Sequence, residues 1–286
     1  MTPTLQDWAS PRREWVEQAL HALFADSWPT ALGEMCTYPL RTDGKRMRPL
    51  LVLAAYESVA RDPSNWEPAL APSMAVELVH TYSLVHDDLP CMDDDAERRG
   101  QPTVHVQFGD GAAVLVGDAL LTEAFGVVTR SEALSAQQRI DLVNSLSLAA
   151  GHQGMIGGQA GDLALGGPVQ DAETLLEIHR RKTGALIRCA CEMGVIAGGG
   201  WPDEKAALIQ YGEAVGLAFQ LVDDLLDLDQ DKGDDGPPSH PKLVGADATR
   251  DHARQLLGEA LSILEELPGP VEPLAELARF TLERTA

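Results

Sequence analysis

At 286 residues with 44% apolar side chains, the chain has material for one sizeable core or two, and no run of it approaches a membrane span. Lys and Arg number 22 against 44 Asp and Glu, and a formal charge of −22 excludes nucleic acid or an anionic membrane surface as the expected partner. Four cysteines are too few for a disulfide framework, Cys189-Ala-Cys191 has the wrong spacing for a zinc pair, and MTPTLQDWASPRREW lacks the order of a signal peptide, so a soluble cytosolic protein with reduced thiols is expected.

Helical periodicity recurs from end to end, and no stretch sustains the period-two alternation of a half-buried strand. An all-α fold in a single domain over residues 1–286 is therefore expected, with 26 glycines and 5% aromatic residues indicating an Ala/Leu/Val-rich interior and close helix contacts. In chain order, Pro11 precedes a helix near 12–25, the break from Pro39 to Gly44 precedes one near 45–60, and DPSNWEP at 62–68 separates it from a helix opened by Pro72 that runs to about Asp88. Further helices are predicted near 109–130, 135–154, 171–198, 203–231, 247–266 and 270–284. GMIGGQAGD at 154–162 and GGPVQD at 166–171 read as kinks or loops. DKGDDGPPSHP at 231–241, with no apolar residue but proline, reads as a loop able to close over a site formed just before it.

The chemistry lies in two acidic clusters, Asp87-Asp88 with Asp93 in HDDLPCMDDD, and Asp223-Asp224 with Asp227 in QLVDDLLD. Carboxylates this close repel one another unless hard cations share them, and Mg²⁺ takes one or two carboxylates together with substrate phosphate oxygens. Asp223 and Asp227 share a helix face, with Asp224 about 100° round from Asp223, so two carboxylates can reach one ion and the third can support it. A solvated acidic face would interleave Lys or Arg at four-residue spacing, and none occurs between 213 and 231. In the first cluster Pro90 and the six-residue step to Asp93 do not fit one helix. Asp87 is expected at a helix C-terminus, where the macrodipole opposes a carboxylate, with Asp93 folding back from the loop. His80 falls two turns before Asp87, about 10 Å away on the same face. Three basic islands, GKRMR at 44–48, ERR at 97–99 and HRRK at 179–182, point to an anionic ligand. No Ser/His/Asp or Cys/His arrangement suggests a protein nucleophile.

GKRMRP at 44–49, HTYSLVHDDLPCMDDDAERRGQPTVH at 80–105, GDALL at 117–121, GGQ at 157–159, HRRKTGALI at 179–187 and FQLVDDLLD at 219–227 together resemble, in order and spacing, the trans-isoprenyl diphosphate synthases, or polyprenyl synthetases, and among them the bacterial farnesyl type. The resemblance implies an all-helical homodimer around a deep apolar cavity and a metal-dependent prenyl transfer. It implies about three Mg²⁺ ions on an allylic diphosphate, held mainly by Asp87, Asp93 and Asp223 with Arg98 assisting. Lys45, Arg48, His80 and Arg99 match positions that bind isopentenyl diphosphate, and Lys182, Thr183 and Gln220 match the polar residues near the allylic cation. Ser83 and Tyr82, four and five residues before the first aspartate, match the chain-length floor, and Tyr82 resembles enzymes that stop at fifteen carbons; ten- and twenty-carbon products are the alternatives.

The resemblance weakens after the second cluster, where the family usually carries a longer loop with two lysines. Here Lys232 is the one lysine before SHP at 239–241, and is assigned to the allylic diphosphate, while Pro237 falls where the second lysine would align. Gly161 also stands where a larger apolar residue is more usual. A catalytically silent partner subunit would be expected to lose one acidic cluster. A terpene cyclase or a head-to-head synthase would leave GKRMR, His80 and Arg99 unexplained.

Overall fold

The computed structural model describes residues 1–42, 44–230 and 238–283. The fold is all-α. Its helices are α1 (Pro3–Ala22), α2 (Thr30–Leu40), α3 (Met47–Val59), α4 (Glu67–Asp87), α5 (Val104–Phe108), α6 (Asp110–Arg130), α7 (Ala136–Ala150), α8 (Met155–Asp162), α9 (Ala172–His179), α10 (Ala185–Gly198), α11 (Pro202–Gln230), α12 (His240–Val244), α13 (Ala246–Leu264) and α14 (Glu272–Glu283). A π-helical turn, Arg180–Gly184, joins α9 to α10, and a two-rung antiparallel hairpin of β1 (Glu97–Arg98) and β2 (Gln101–Pro102) follows the first acidic cluster.

The centre is made by helices apolar nearly all round. Every residue of α3 from Pro49 to Ser58 is buried, as are thirteen positions of α4, which is the pattern of a helix enclosed by others. Around them α4 packs along α6, α3 against α10, α10 along α11, and α11 along α13. Backbones touch where glycine allows it: a Cβ on Gly194 of α10 would lie 2.3 Å from the Val52 carbonyl oxygen of α3. A polar clasp fixes α1. The Arg12 guanidinium lies between the rings of Trp8 and Trp66, at 4.4 and 4.3 Å, and pairs with buried Glu57 at 2.7 Å.

Several expected boundaries are corrected. Helix α1 starts at Pro3, capped by the Thr2 hydroxyl, and carries Pro11 inside it; Pro11 is exposed, so the carbonyl its ring leaves unbonded is open to water. Pro68, at the second position of α4, is the opening proline, and Pro72 is carried within the helix. The glycine-rich 154–162 segment is helix α8 rather than a loop, and the predicted 171–198 helix is α9 and α10 with the π turn between them. Tertiary packing overrides glycine's low helix propensity in α8: a Cβ on Gly158 would lie 2.2 Å from the Lys182 backbone nitrogen. Gly161 finds its reason in the same face, since a Cβ there would meet Ile178 Cγ1 at 2.9 Å. Helices α2, α5 and α12 had no sequence signal. Most of the predicted 231–241 loop, with Lys232 and Pro237, lies outside the described residues.

Candidate active site

The first acidic cluster forms where α4 ends. Asp87 is the last residue of the helix, and the Asp93 N–H donates to the Asp87 carbonyl at 2.9 Å, folding the loop back as expected. Beyond it Asp94 and Arg99 hold φ of 55° and 54°, a left-handed conformation that costs non-glycine residues energy and concentrates at functional sites. Arg98 donates from Nε at 2.7 Å and Nη2 at 2.5 Å to buried Asp88, and also pairs with Asp95 at 3.2 Å. Asp88 is thereby committed to aiming Arg98. Burial pushes the Asp87 carboxyl up to about 6; Lys182 and Arg98 act against that, while Asp93 and Asp88 reinforce it.

Asp87 stands at a cleft of about 450 Å³ whose lining includes Arg48, His80, Tyr82, Ser83, Lys182 and Thr183. Tyr82 reaches its wall although the helical wheel places it well round from Asp87, because the ring runs sideways and packs edge-on to His86 at 5.8 Å. The basic residues gather on the same side. A Cβ on Gly44 would lie 2.7 Å from Arg99 Nη1, so the GKRMR and ERR islands meet, and His80, Arg98 and Arg99 share a narrow crevice beside the cleft. Burial, and then Arg48 and Arg99, hold His80 well below the usual histidine range, so it is a neutral imidazole at pH 7. Burial also lowers Arg48 to about 10, with Glu77 opposing, Arg99 reinforcing and Asp223 opposing, and it stays charged. Arg46, between Lys45 and Arg48 in sequence, is structural: it pairs with Glu77 at 2.7 Å and Glu17 at 3.0 Å inside the core. Lys45 lies 4.9 Å from the centre of the Phe280 ring.

The second cluster sits on α11, close enough for Asp223 to act on Arg48 across the site. Asp224 differs from the metal role its grouping suggests. It is buried, and it accepts from the His240 N–H at 2.8 Å, lies 3.0 Å from His179 Nε2, and accepts from Gln220 Nε2 at 3.3 Å. Burial pushes its carboxyl up, but His179, His240 and Gln220 outweigh that and hold it below the usual range. Asp224 therefore anchors the chain around His240 to α11, while Asp227 is exposed one turn on. The π turn presents Lys182 and Thr183, as π turns often do at functional sites. Lys182 pairs with Asp162 at 2.5 Å, and the Thr183 hydroxyl donates to Gln220 Oε1 at 2.8 Å.

Among the described residues no three His, Cys, Asp or Glu side chains converge as ligands of one ion. The donor set nonetheless suits Mg²⁺, which draws few carboxylates from protein and completes its octahedron with phosphate oxygens and water. The raised Asp87 carboxyl is one for which a cation would compensate. A larger groove of about 1140 Å³ runs beside α10, α11 and α13, but neither acidic cluster lines it. Sequence reasoning did not assign His86, Asp162 or Gln159 to the site, though HDD and GGQ each contain or adjoin one of them.

Comparison with known proteins identifies the family of the chain. The chain is 39% identical over 271 residues to the farnesyl diphosphate synthase of Haemophilus influenzae, covering 91% of this chain and 90% of that protein. It is 41% identical over 288 residues to geranylgeranyl pyrophosphate synthase 11, chloroplastic, of Arabidopsis thaliana, covering 94% and 79%. An FPP/GFPP synthase from Zymomonas mobilis, solved in the apo state, superposes with a TM-score of 0.87 at 37% identity, covering 98% of this chain and 100% of that one. With the polyprenyl synthetase family matched over residues 29–262, the chain belongs to the polyprenyl synthetase family.

Proposed function

We propose that the chain is a Mg²⁺-dependent trans-prenyltransferase that condenses isopentenyl diphosphate with dimethylallyl and geranyl diphosphate to give mainly farnesyl diphosphate and pyrophosphate. The observation that carries this reading is one apolar-walled cleft with Asp87, Arg48, Lys182 and Thr183 along its lining and Asp223 acting on Arg48 from α11. Asp87 and Asp93, with Asp223 and Asp227 opposite, would hold Mg²⁺, whose charge makes the allylic diphosphate a better leaving group. Asp88 and Asp224 support them by holding Arg98 and the chain around His240.

Arg98 binds the allylic diphosphate, and Lys45, Arg48, neutral His80 and Arg99 bind that of isopentenyl diphosphate. Lys232, outside the described residues, is assigned to the allylic diphosphate. The carbon–oxygen bond of the allylic substrate breaks with its electron pair leaving on the diphosphate. Thr183, Gln220 and the Lys182 carbonyl face the resulting cation without trapping it, and the apolar walls exclude water. The isopentenyl double bond attacks C1, and released pyrophosphate takes the final proton. Buried Tyr82, with Ser83 beside it, closes the path of the growing chain near fifteen carbons.

A homodimer fits the surface. Helix α6 is long and apolar enough to cross a membrane by length and composition alone, a test that helices of soluble proteins also meet, and 33% of that window is buried. Leu115 of α6 and Ile140 of α7 are 59% and 63% exposed, as a subunit interface would leave them in one chain. The free thiols at all four cysteines suit the reducing cytosol.

Chromatography of products from dimethylallyl and geranyl diphosphate, with and without isopentenyl diphosphate and Mg²⁺, tests the reading. Fifteen-carbon product requiring both is expected. Twenty carbons would keep the reaction and remove Tyr82 as the floor, and no elongation with either primer would overturn the function.

A further inference from the structure

The four residues assigned to isopentenyl diphosphate are held in place by unequal means. Arg48 and His80 line the cleft, and His80 and Arg99 line the crevice beside it, so walls on several sides restrain them. Lys45 lines neither and is exposed, with its ammonium on a flexible four-carbon stem. Its backbone is nonetheless fixed. Buried Arg46, the next residue, holds φ of 49° and donates from its guanidinium to the Leu40 carbonyl at 2.5 Å and the Thr42 carbonyl at 3.3 Å. The loop therefore sets where the Lys45 side chain starts, and not where its ammonium ends.

The C-terminal helix addresses the ammonium. Lys45 Nζ lies over the ring of Phe280, 4.9 Å from its centre, within the range at which the negative face of an aromatic ring attracts a cation. Phe280 is buried on α14, and α14 is itself tied down: the Tyr211 hydroxyl donates to the Leu274 carbonyl at 2.7 Å, and the Thr2 hydroxyl donates to Glu276 at 2.7 Å. The ring is thus a fixed platform under a mobile stem. A carboxylate in the same place would hold the ammonium by neutralising it, and would weaken its pull on a diphosphate. A ring face holds the cation and leaves its charge in place.

We propose that Phe280 is a positioning residue for the second substrate, its ring face fixing the Lys45 ammonium for isopentenyl diphosphate before that substrate arrives. This rests on the assignment of Lys45 in the reading above. Side-chain ordering that would otherwise accompany binding is completed on folding, so the effect belongs to the affinity for isopentenyl diphosphate and not to the ionisation of the allylic substrate.

The test separates the charge on the ring face from the volume of the ring. Pentafluorophenylalanine in place of Phe280 keeps a six-membered aromatic ring and reverses the charge on its face, while Phe280→Leu removes the ring. In both proteins the KM for isopentenyl diphosphate is expected to rise about threefold or more, with the KM for geranyl diphosphate and kcat within about twofold of wild type. A role in packing alone would be disturbed by Phe280→Leu and spared by fluorination. With Lys45→Met already in place, neither change at position 280 should raise the isopentenyl KM further, because the cation it acts through is gone. An isopentenyl KM that rises less than this in the fluorinated protein, an equal rise for geranyl diphosphate, or a further rise in the Lys45→Met background would each overturn the proposal. Two controls distinguish the other failures: a wild-type isopentenyl KM in Lys45→Met alone overturns the assignment of Lys45, and no elongation by the wild-type chain overturns the prenyl-transfer reading itself.

Discussion

Asp87 and Arg46 show how differently two charged residues can be used within one core. Asp87 has a folded-state pKa of about 6, above the ordinary aspartate value, so the folded protein binds its proton more tightly than the unfolded chain does. Its contribution to stability is most favourable below the unfolded pKa, is lost as pH rises towards 6, and remains as a cost above that, on the order of 2 kcal/mol. Asp87→Asn is therefore expected to melt above wild type at pH 7 without metal, with the gain vanishing near pH 3.5, while turnover falls by orders of magnitude. Melting curves across that range with parallel assays check both. Arg46 is the reverse case, a cation whose loss would leave Glu77 buried without a partner. Arg46→Met should cost about 3–5 kcal/mol in denaturant unfolding. From the sequence both belonged to plausible ligand-binding clusters. Only the packing of Glu77 and Glu17 around one guanidinium separates Arg46 from Arg48, and pairings across 31 and 29 positions leave no local pattern.

Helices with a sustained apolar pattern were legible and those held by tertiary contact were not. Predicted at 203–231, α11 runs Pro202–Gln230, because its buried face repeats over many turns. The Asp87 to Asp93 turn was also legible, since Pro90 and the six-residue step forbid a continued helix. Helix α8 was not, because its glycines signal a break until the backbone they approach is known. The π turn was hidden for a similar reason: one extra residue per turn leaves apolar spacing nearly unchanged over five positions. The contact between α8 and the π turn leads to a specific expectation. Gly158→Ala places a methyl against the Lys182 backbone, which cannot swing away as a side chain could. It should cost about 1–3 kcal/mol and lower kcat together with stability, because the displaced turn carries Lys182 and Thr183. A variant with wild-type melting and rate would show that α8 does not fix the turn.

Helix α6 connects the site to the outer surface of the whole molecule. Its inner side meets α4, where a Cβ on Gly117 would lie 2.0 Å from His86 Nε2, and Leu121 lines the cleft. Its outer side exposes Val114 and Leu115, and α7, which packs against α6, exposes Ile140. In the proposed homodimer a partner subunit covering that face would hold α6 from behind, so assembly and catalysis should be linked through one rigid element. Leu115→Glu combined with Ile140→Glu would bury two carboxylates at the interface and is expected to yield a monomer near the chain mass of 30.7 kDa instead of twice that, by light scattering on a sizing column. The monomer should retain helical circular dichroism, since the mutated positions lie outside the core of the chain, yet lose most of its turnover as α6 relaxes away from His86. If the double variant stays dimeric, the interface lies elsewhere. If it is monomeric with full turnover, the cleft is held by α4 and α8 alone, and α6 serves assembly without shaping the site.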